Sequence, residues 1–229
     1  MAINVIMLGP PGAGKGTQGE RFAMGHRIPR IPTGDILRDE IHSGSALGKA
    51  VKQVMDRGEL VSDEVMIDII TERLGRPDVA NGFVLDGFPR TVTQAQALDA
   101  LMIGRDPLIV LDIVVPEAEL VRRLGARMIC EACGHNADGR ETTPGVCHFC
   151  GGKLTQRADD NAMVVLERFK VYTNATKPLV DFYRSRPTFR SINGAQSLDR
   201  VAADLTSAVE AISNHASATA KVVSGGGTR

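Results

Sequence analysis

The chain has 229 residues and a formal net charge of zero at pH 7, with 27 basic and 27 acidic side chains. A chain of this length forms one sizeable hydrophobic core with small inserted modules, which argues against two unrelated domains. The balanced charge argues against nucleic acid or an anionic membrane as a partner, so an anion site has to be built locally. No apolar stretch approaches the roughly 20 residues of a membrane span, and no targeting segment precedes the first strand, so we expect a cytoplasmic protein.

The first predicted element is a buried strand over residues 3–8, which runs into a glycine-rich segment at residues 9–17, GPPGAGKGT. Glycines let backbone N–H groups surround an oxyanion, Lys15 adds a point charge, and the helix that follows adds the positive end of its dipole. The spacing matches G-x-x-x-x-G-K, but Gly16 stands where Ser or Thr usually follows, so the hydroxyl comes from Thr17. The segment predicts a nucleotide phosphate site, with an ordinary glycine turn as the alternative.

Further along the chain, strand and helix signals alternate. Continuous apolar runs predict buried strands over residues 83–86, 108–115 and 189–192. Capping signals and amphipathic patterns predict helices over residues 62–74, 116–125, 158–183 and 198–212. This order predicts an α/β protein built on a parallel sheet.

Two segments interrupt the alternation, and we expect both to be insertions beside the nucleotide site. Residues 33–61 have a helical pattern with no strand of their own, and residues 126–157 hold all the cysteines. The last residues, 215–229, are small and polar, too poor in apolar side chains to offset the entropy of ordering, so they are predicted to be disordered.

A carboxylate and an arginine follow the strand predicted over residues 83–86. Asp86 ends this strand at the edge where parallel sheets bind ligands, and in P-loop proteins such a carboxylate helps to hold Mg²⁺ through its water shell. The turn containing Gly87 and Pro89 places the Arg90 guanidinium where it could bind a phosphate in bidentate fashion. Two alternatives stay open, namely a capping aspartate and an exposed arginine.

The cysteines form two C-x-x-C pairs that are separated by 13 residues, and a glycine follows each pair. Their four thiolates fill a tetrahedral shell, so the predicted ion is a structural Zn²⁺ whose binding supplies most of the folding energy of this segment. Iron in the same ligands and two disulfides are the alternatives, and His135 and His148 are expected to be bystanders. The predicted ligands are Cys130, Cys133, Cys147 and Cys150.

Five blocks of this sequence together resemble the adenylate kinase family in its long form, which carries a zinc-binding lid. In chain order they are GPPGAGKGTQ (9–18), PTGDILR (32–38), NGFVLDGFPRT with Gln94 (81–94), the four cysteines, and QRADDN (156–161). The resemblance spans the chain to about residue 212. It implies a three-layer P-loop NTPase fold with a parallel sheet of about five strands. It also implies a reversible, Mg²⁺-dependent transfer of the terminal phosphoryl group from ATP to AMP, which gives two ADP.

The same resemblance implies roles for individual residues. The ATP-binding residues would be Gly12, Ala13, Gly14, Lys15, Gly16 and Thr17, with Arg123 and Arg127 at the lid hinge. The AMP-binding residues would be Thr33, Gly34, Arg38, Glu59, Leu60, Val61, Gly87, Phe88, Pro89, Arg90, Gln94, Arg157 and Arg168. The catalytic residues would be Lys15, Asp86, Arg90, Arg127, Arg157 and Arg168, with Asp86 orienting the waters of Mg²⁺. Asp159 and Asp160 would hold arginines in the closed lid. Phosphoryl transfer needs positioning and positive charge more than covalent chemistry, so no general base is predicted.

The implied organisation is a core of residues 1–32, 62–125 and 158–214, an AMP-binding insertion at 33–61, a zinc-binding lid at 126–157 and a disordered tail at 215–229. The two insertions would act as flaps that keep the reacting phosphoryl group from water. The expected partners are ATP, AMP and ADP, with no nucleic acid and no membrane, and the expected state is a monomer.

Other interpretations stay open at the level of the sequence. A uridylate or cytidylate kinase would share the fold, although the Thr33 hydroxyl and the Gln94 amide favour adenine. A nucleotide-sensing switch would lack a second nucleotide site, and a zinc-ribbon nucleic-acid binder would need a basic patch with aromatic residues. In the lid, residues 135–138 (HNAD) replace an aromatic residue of the family, and looser selectivity for the donor nucleotide is therefore a hypothesis.

Overall fold

The computed structural model describes residues 2–137, 142–156 and 162–224. Its strands are β1 (Ile3–Leu8), β2 (Arg30–Pro32), β3 (Gly82–Asp86), β4 (Leu108–Val114), β5 (Met128–Cys130), β6 (Leu154–Gln156) and β7 (Phe189–Asn193). Its α-helices are α1 (Lys15–His26), α2 (Thr33–His42), α3 (Ala46–Asp56), α4 (Asp63–Leu74), α5 (Val92–Leu101), α6 (Glu117–Gly125), α7 (Ala162–Val171), α8 (Pro178–Arg184) and α9 (Leu198–Ser224). Pro77–Val79 forms a 3₁₀ turn and Tyr172–Thr176 forms a π-helical turn.

Five parallel strands form the central sheet in the order β2-β3-β1-β4-β7. This arrangement confirms the predicted α/β fold with a sheet of about five strands. The pattern analysis missed β2, because a run of three residues ending in Pro32 gives no strand signal. Pro32 lacks a backbone N–H group, and its place on an edge strand is one that a sheet tolerates.

Side chains alternate between the two faces of the sheet and produce the three layers. On β1, Ile6 and Leu8 belong to a core with α4, α5 and α8, whereas Val5 and Met7 belong to a second core with α1, α6 and α9. Strands β1, β3 and β4 are buried along nearly their whole length, as expected of parallel strands covered on both faces. The carboxyl ends of these strands form one edge of the sheet, where the candidate site lies.

Two helices differ from their predicted extent. The helix predicted over residues 158–183 is interrupted, because the π-helical turn separates α7 from α8 and Pro178 begins α8. The helix predicted to end at Ile212 continues as α9 to Ser224; Ile212 is buried and belongs to the core that α9 forms with the sheet. The prediction of a disordered tail at 215–229 stays a prediction, and residues 225–229 lie outside the described residues.

The two predicted insertions take different forms. Residues 33–61 contain α2 and α3, whose Leu37 and Val51 join the hydrophobic core on the α4 side of the sheet. In the second insertion, β5 and β6 pair in antiparallel fashion, with Cys130 opposite Leu154. The assigned domain boundaries stay predictions. None of the helices in the described part of the chain is both long and apolar enough to cross a membrane.

Candidate active site

The glycine-rich loop connects β1 to α1, so that Lys15 is the first residue of α1. Gly9 has φ +138, and a Cβ atom there would lie 2.7 Å from the carbonyl oxygen of Ile113, so this position of the turn requires glycine. The Lys15 ammonium donates hydrogen bonds to the carbonyl oxygens of Gly9 (2.7 Å) and Pro10 (3.0 Å). The loop therefore holds the lysine of the motif inside the curve that would surround a phosphate.

Burial lowers the pKa of Lys15 from its ordinary value to about 8. The Asp86 carboxylate opposes this shift, whereas the positive charges of Arg90, Arg168 and Arg127 add to it. These residues come from separate segments of the sequence, yet they act on the same ammonium group. The fold thus concentrates four predicted cations around one point, and that concentration of positive charge favours a polyanionic ligand.

Asp86 lies at the carboxyl end of β3, beside Met7 of β1 and Pro32 of β2. One of its carboxylate oxygens, Oδ2, accepts a hydrogen bond from the Arg30 guanidinium at 2.8 Å, and both side chains are largely buried. Sequence analysis did not identify Arg30, because its partner is 56 residues away and no motif contains it.

The wall formed by α2, β3 and α5 is a network of polar side chains. Gln94 is buried; its Oε1 accepts from the backbone N–H of Arg90 (2.7 Å) and its Nε2 donates to Asp63 (2.8 Å). The Thr33 hydroxyl is also buried and donates to the Asp86 carbonyl oxygen (3.2 Å). Asp63 is a second residue that sequence analysis missed, because its partner Gln94 is 31 residues away in the chain.

Arginines on this wall are held in place by neighbouring acceptors. The Arg90 side chain donates from Nε to the carbonyl oxygen of Gly87 at 2.8 Å. Arg38 forms an ion pair with Asp35 one turn earlier on α2. Because these contacts orient the guanidinium groups of both arginines, the site is partly preorganised for an anion.

On the opposite wall, α6 carries an acidic residue that anchors an arginine. Glu119 accepts from Arg123 Nε at 2.8 Å, and Arg123 also donates to the carbonyl oxygen of Gly194 at 2.9 Å. Hydrogen bonds from Arg122 and then Arg123 lower the pKa of Glu119 to about 2, so Glu119 keeps its negative charge at acidic as well as neutral pH. Sequence analysis predicted this helix over residues 116–125 from its capping signal and assigned no role to Glu119.

One cavity of about 880 Å³ joins these walls. It is lined by the predicted residues Gly12, Gly14, Lys15, Gly16, Thr17, Thr33, Gly34, Arg38, Glu59, Leu60, Val61, Asp86, Gly87, Arg90, Gln94, Arg123, Arg127 and Arg168. Pro89 lines an adjacent cavity of about 70 Å³, whereas Phe88 is buried in the hydrophobic core and Ala13 is buried against β1 and α6. Arg157, Asp159 and Asp160 lie outside the described residues. All the roles assigned to these residues stay predictions.

The four cysteines converge within the segment that is predicted to form the lid. Their Sγ atoms all lie within 4.8 Å of one another, with 3.4 Å between Cys130 and Cys150 and 3.8 Å between Cys133 and Cys147. None of the four takes part in a disulfide. Tetrahedral thiolate ligation with metal–sulfur bonds of about 2.3 Å gives sulfur separations of about 3.8 Å, so the cluster has the dimensions of a metal site.

A parallel sheet with a glycine-rich loop after its central strand and a lysine at the start of the next helix defines a P-loop nucleotide-binding protein. A family model described as adenylate kinase matches residues 7–188 of this chain. The chain belongs to the adenylate kinase family.

Curated relatives agree with this assignment over nearly the whole chain. A protein named adenylate kinase from Rhizobium etli is 44% identical over 209 residues, which cover 89% of this chain and 97% of that protein. Proteins of the same name from Archaeoglobus fulgidus (44% over 215 residues, 92% and 99%) and Desulfitobacterium hafniense (45% over 213 residues, 91% and 98%) are similar to the same extent.

Proposed function

We propose how this member of the adenylate kinase family carries out its reaction, the transfer of the terminal phosphoryl group of ATP to AMP, which gives two ADP. ATP binds with its phosphates in the glycine-rich loop, and AMP binds between α2, β3 and α5. The observation that carries this proposal is the single cavity that extends from Lys15 to Gln94, with Arg90, Arg127 and Arg168 around it. A nucleotide at each end brings the donor and acceptor phosphates together near these cations.

Catalysis rests on positioning and on charge. Lys15, Arg90, Arg127 and Arg168 bind the oxygens of the transferring group and stabilise the negative charge that spreads over them. Arg157, which lies outside the described residues, is proposed to join them. The acceptor is already a phosphate anion, so no side chain has to remove a proton.

Two contacts support adenine at the acceptor end. Gln94 is held by Arg90 and Asp63, and it lines the cavity with its amide fixed in orientation. Thr33 lines the same end with its hydroxyl directed at the Asp86 carbonyl oxygen. Fixed amide and hydroxyl groups discriminate between bases more strongly than an apolar wall does, because an unmatched buried polar group carries a desolvation cost.

Asp86 and Thr17 fit a role in binding Mg²⁺. Both line the cavity beside the glycine-rich loop, and Mg²⁺ usually takes one or two protein oxygens together with phosphates and waters. When bound, the ion offsets phosphate charge and orients the terminal phosphoryl group. Asp86 supplies an acceptor for its waters, and the N-terminus of α1 binds the phosphates themselves.

The cysteine cluster is proposed to hold Zn²⁺ as a structural ion. Four thiolates leave no open coordination position, and the described part of the lid buries too few apolar side chains to fold without a cross-link. Free thiols in the cluster fit a reducing compartment, which supports the proposed cytoplasmic location. A monomer is proposed because the described residues of one chain line both ends of the cavity.

The lid also bears on the choice of donor. Asn136 and Ala137 line the cavity, and neither presents the aromatic ring that sequence analysis associates with this position in the family. We therefore propose looser selectivity for the donor base. Comparable rates with ATP and GTP as donors to AMP would support this proposal, whereas strict dependence on ATP would reject it.

An assay of ADP formation tests the function directly. The enzyme, ATP and Mg²⁺ are mixed with AMP, UMP, CMP or GMP in turn, and the metal content of the same preparation is determined. We expect ADP formation that depends on AMP, with much lower rates for the other monophosphates, and about one Zn²⁺ per chain. Slow ATP hydrolysis without any dependence on AMP would instead indicate a nucleotide-sensing switch, and preference for UMP or CMP a pyrimidine nucleotide kinase.

A further inference from the structure

Arg30 has a position beside the phosphate site that none of the roles above explains. It lies on the edge strand β2, its side chain is 19% exposed, and it lines the cavity. Its guanidinium bonds to Asp86 Oδ2 at 2.8 Å, whereas its Nε is buried and has no hydrogen-bond partner among the described residues. Arg30 is therefore paired with the Asp86 carboxylate, which is proposed to accept hydrogen bonds from the waters bound to Mg²⁺.

The space for this pair exists because residue 16 is glycine. A Cβ atom on Gly16 would lie 3.2 Å from Arg30 Nη2 and 3.5 Å from Asp86 Oδ2. A serine or threonine there, as the usual form of the motif has, would extend toward the same atoms and crowd the guanidinium. A Cβ atom on Gly19, one turn later on α1, would lie 3.8 Å from Cδ of Arg30, which is an ordinary van der Waals distance. Gly16 thus leaves room for the Arg30 guanidinium beside Asp86.

A guanidinium at this distance acts on a divalent cation in two ways. It occupies a lone pair of Asp86 that would otherwise accept from water, and it places a positive charge close to the proposed cation site. Both effects oppose the binding of Mg²⁺. At the same time the contact fixes the rotamer of Asp86, so the remaining oxygen keeps one orientation.

We propose that Arg30 is a positioning residue that holds the Asp86 carboxylate and competes with Mg²⁺ for it, so that Arg30 sets the concentration of free Mg²⁺ that the enzyme needs. This inference rests on the proposed function. It also means that Arg30 acts through Asp86 and makes no direct contact with the phosphates.

Calorimetric titration with a non-hydrolysable ATP analogue, AMP-PNP, tests the proposal without relying on turnover. The full chain with its lid metal bound is titrated over a series of free Mg²⁺ concentrations, in buffer without a chelator so that the lid keeps its ion. For Arg30→Gln we expect the free Mg²⁺ concentration that gives half of the maximal affinity to fall about fivefold, the size expected for one unit charge near a divalent ion in a screened site. The affinity for AMP-PNP without Mg²⁺ should fall by less than about fivefold, since the same charge also attracts the phosphates through space.

Further variants show whether the effect passes through Asp86. Asp86→Asn should raise the half-effective Mg²⁺ concentration, and adding Arg30→Gln to it should cause only a small additional shift, the part that the Arg30 charge contributes through space. Arg30→Lys, which keeps the charge, should stay near the wild type. Arg73→Gln is the matched control, because Arg73 is similarly buried and paired with Asp78 but does not line the cavity. Arg30→Met retains the apolar stem and replaces Arg30→Gln if the latter does not fold, as judged by thermal unfolding.

Three results would overturn the inference. An unchanged half-effective Mg²⁺ concentration in Arg30→Gln would show that Arg30 does not compete with Mg²⁺ for Asp86. A loss of Mg²⁺-free affinity well beyond about fivefold would make Arg30 a direct phosphate ligand. A full shift in the Asp86→Asn background would show that Asp86 is not the intermediary. Failure of the wild type to bind AMP-PNP under any condition would instead contradict the proposed function.

Discussion

The central sheet and the lid are stabilised by different means. The sheet is buried between two large hydrophobic cores, and its helices cover both faces. In the described part of the lid, the buried cluster consists of Cys130, Cys147 and Leu154, with Met128 and Ala137 packed against it. Burial of apolar area can hold the core together, but three buried side chains are far too few to offset the entropy of ordering the lid.

Because of this difference, the residues proposed for catalysis lie mainly in the core, whereas closure of the site depends on the lid. The core supplies Lys15, Asp86 and Arg90, which are positioned by strand ends and helix starts whether or not the lid is folded. The hinge after α6 supplies Arg127, whose position is expected to depend on the cysteine-bearing segment that follows it, whereas Arg123 is anchored on α6 by Glu119 and the Gly194 carbonyl oxygen. Changes to the two regions should therefore have separable effects on turnover, folding and metal content.

The largest effect is expected at the glycine-rich loop. Lys15→Ala removes the charge nearest the phosphates and should lower kcat/KM by about a thousandfold, at the upper end of what one preorganised donor contributes. Its unfolding temperature should not fall, because the variant no longer buries an ammonium group. Steady-state kinetics and calorimetry check both points. Lys52→Ala, an exposed lysine on α3, is the control and should retain wild-type values.

The second prediction compares the loss of turnover when one arginine is removed from the core, in Arg90→Ala, or from the lid hinge, in Arg127→Ala. Each should lower turnover by about a hundredfold while the fold stays intact, because each removes one cation from the transferring group. Circular dichroism and the rate of ADP formation are the measurements. Arg200→Ala on the outer side of α9 serves as the exposed control. Near-native turnover in either purified variant would remove that arginine from the site.

Removal of the lid metal should have a smaller effect on rate and a local effect on structure. A chelator, or Cys130→Ser, should make residues 126–156 sensitive to proteases and lower turnover about tenfold, since closure against water would become inefficient. The unfolding transition of the core should shift little. A collapse of the entire unfolding transition after metal removal would show that the lid and core are one cooperative unit.

The smallest effect concerns pH. Because burial holds the pKa of Lys15 at about 8, the free protein loses this charge as the pH rises through 8. Phosphate binding favours the charged form, so the affinity for AMP-PNP should fall by up to about tenfold per pH unit above 8. The nucleotide-free protein should become more stable between pH 8 and about 10.5, since only the unfolded chain still binds this proton. Titrations at several pH values test the affinity, and Lys15→Arg should abolish its dependence on pH.

Predictions from the sequence succeeded where the signal is contiguous. The strand, loop and helix of residues 3–26 follow from apolar residues, glycines and a lysine that are neighbours in the chain. The two C-x-x-C pairs likewise predict that the four cysteines form a cluster. Failures occurred where the signal was short or nonlocal. Strand β2 is only three residues long, and the π-helical turn at Tyr172–Thr176 leaves the helical pattern of its segment unchanged.

By itself, the sequence determined the parallel α/β architecture, the phosphate loop and the likeness to a kinase family. These features depend on local steric preferences and apolar periodicity, and both are properties of residues that are close together in the chain. Only the tertiary structure decided which side chains became partners: Arg30 with Asp86, Asp63 with Gln94, and Arg123 with the carbonyl oxygen of Gly194. These partners are 56, 31 and 71 residues apart. The order of strands in the sheet brings them together, and that order is set by packing of the whole core rather than by any single segment.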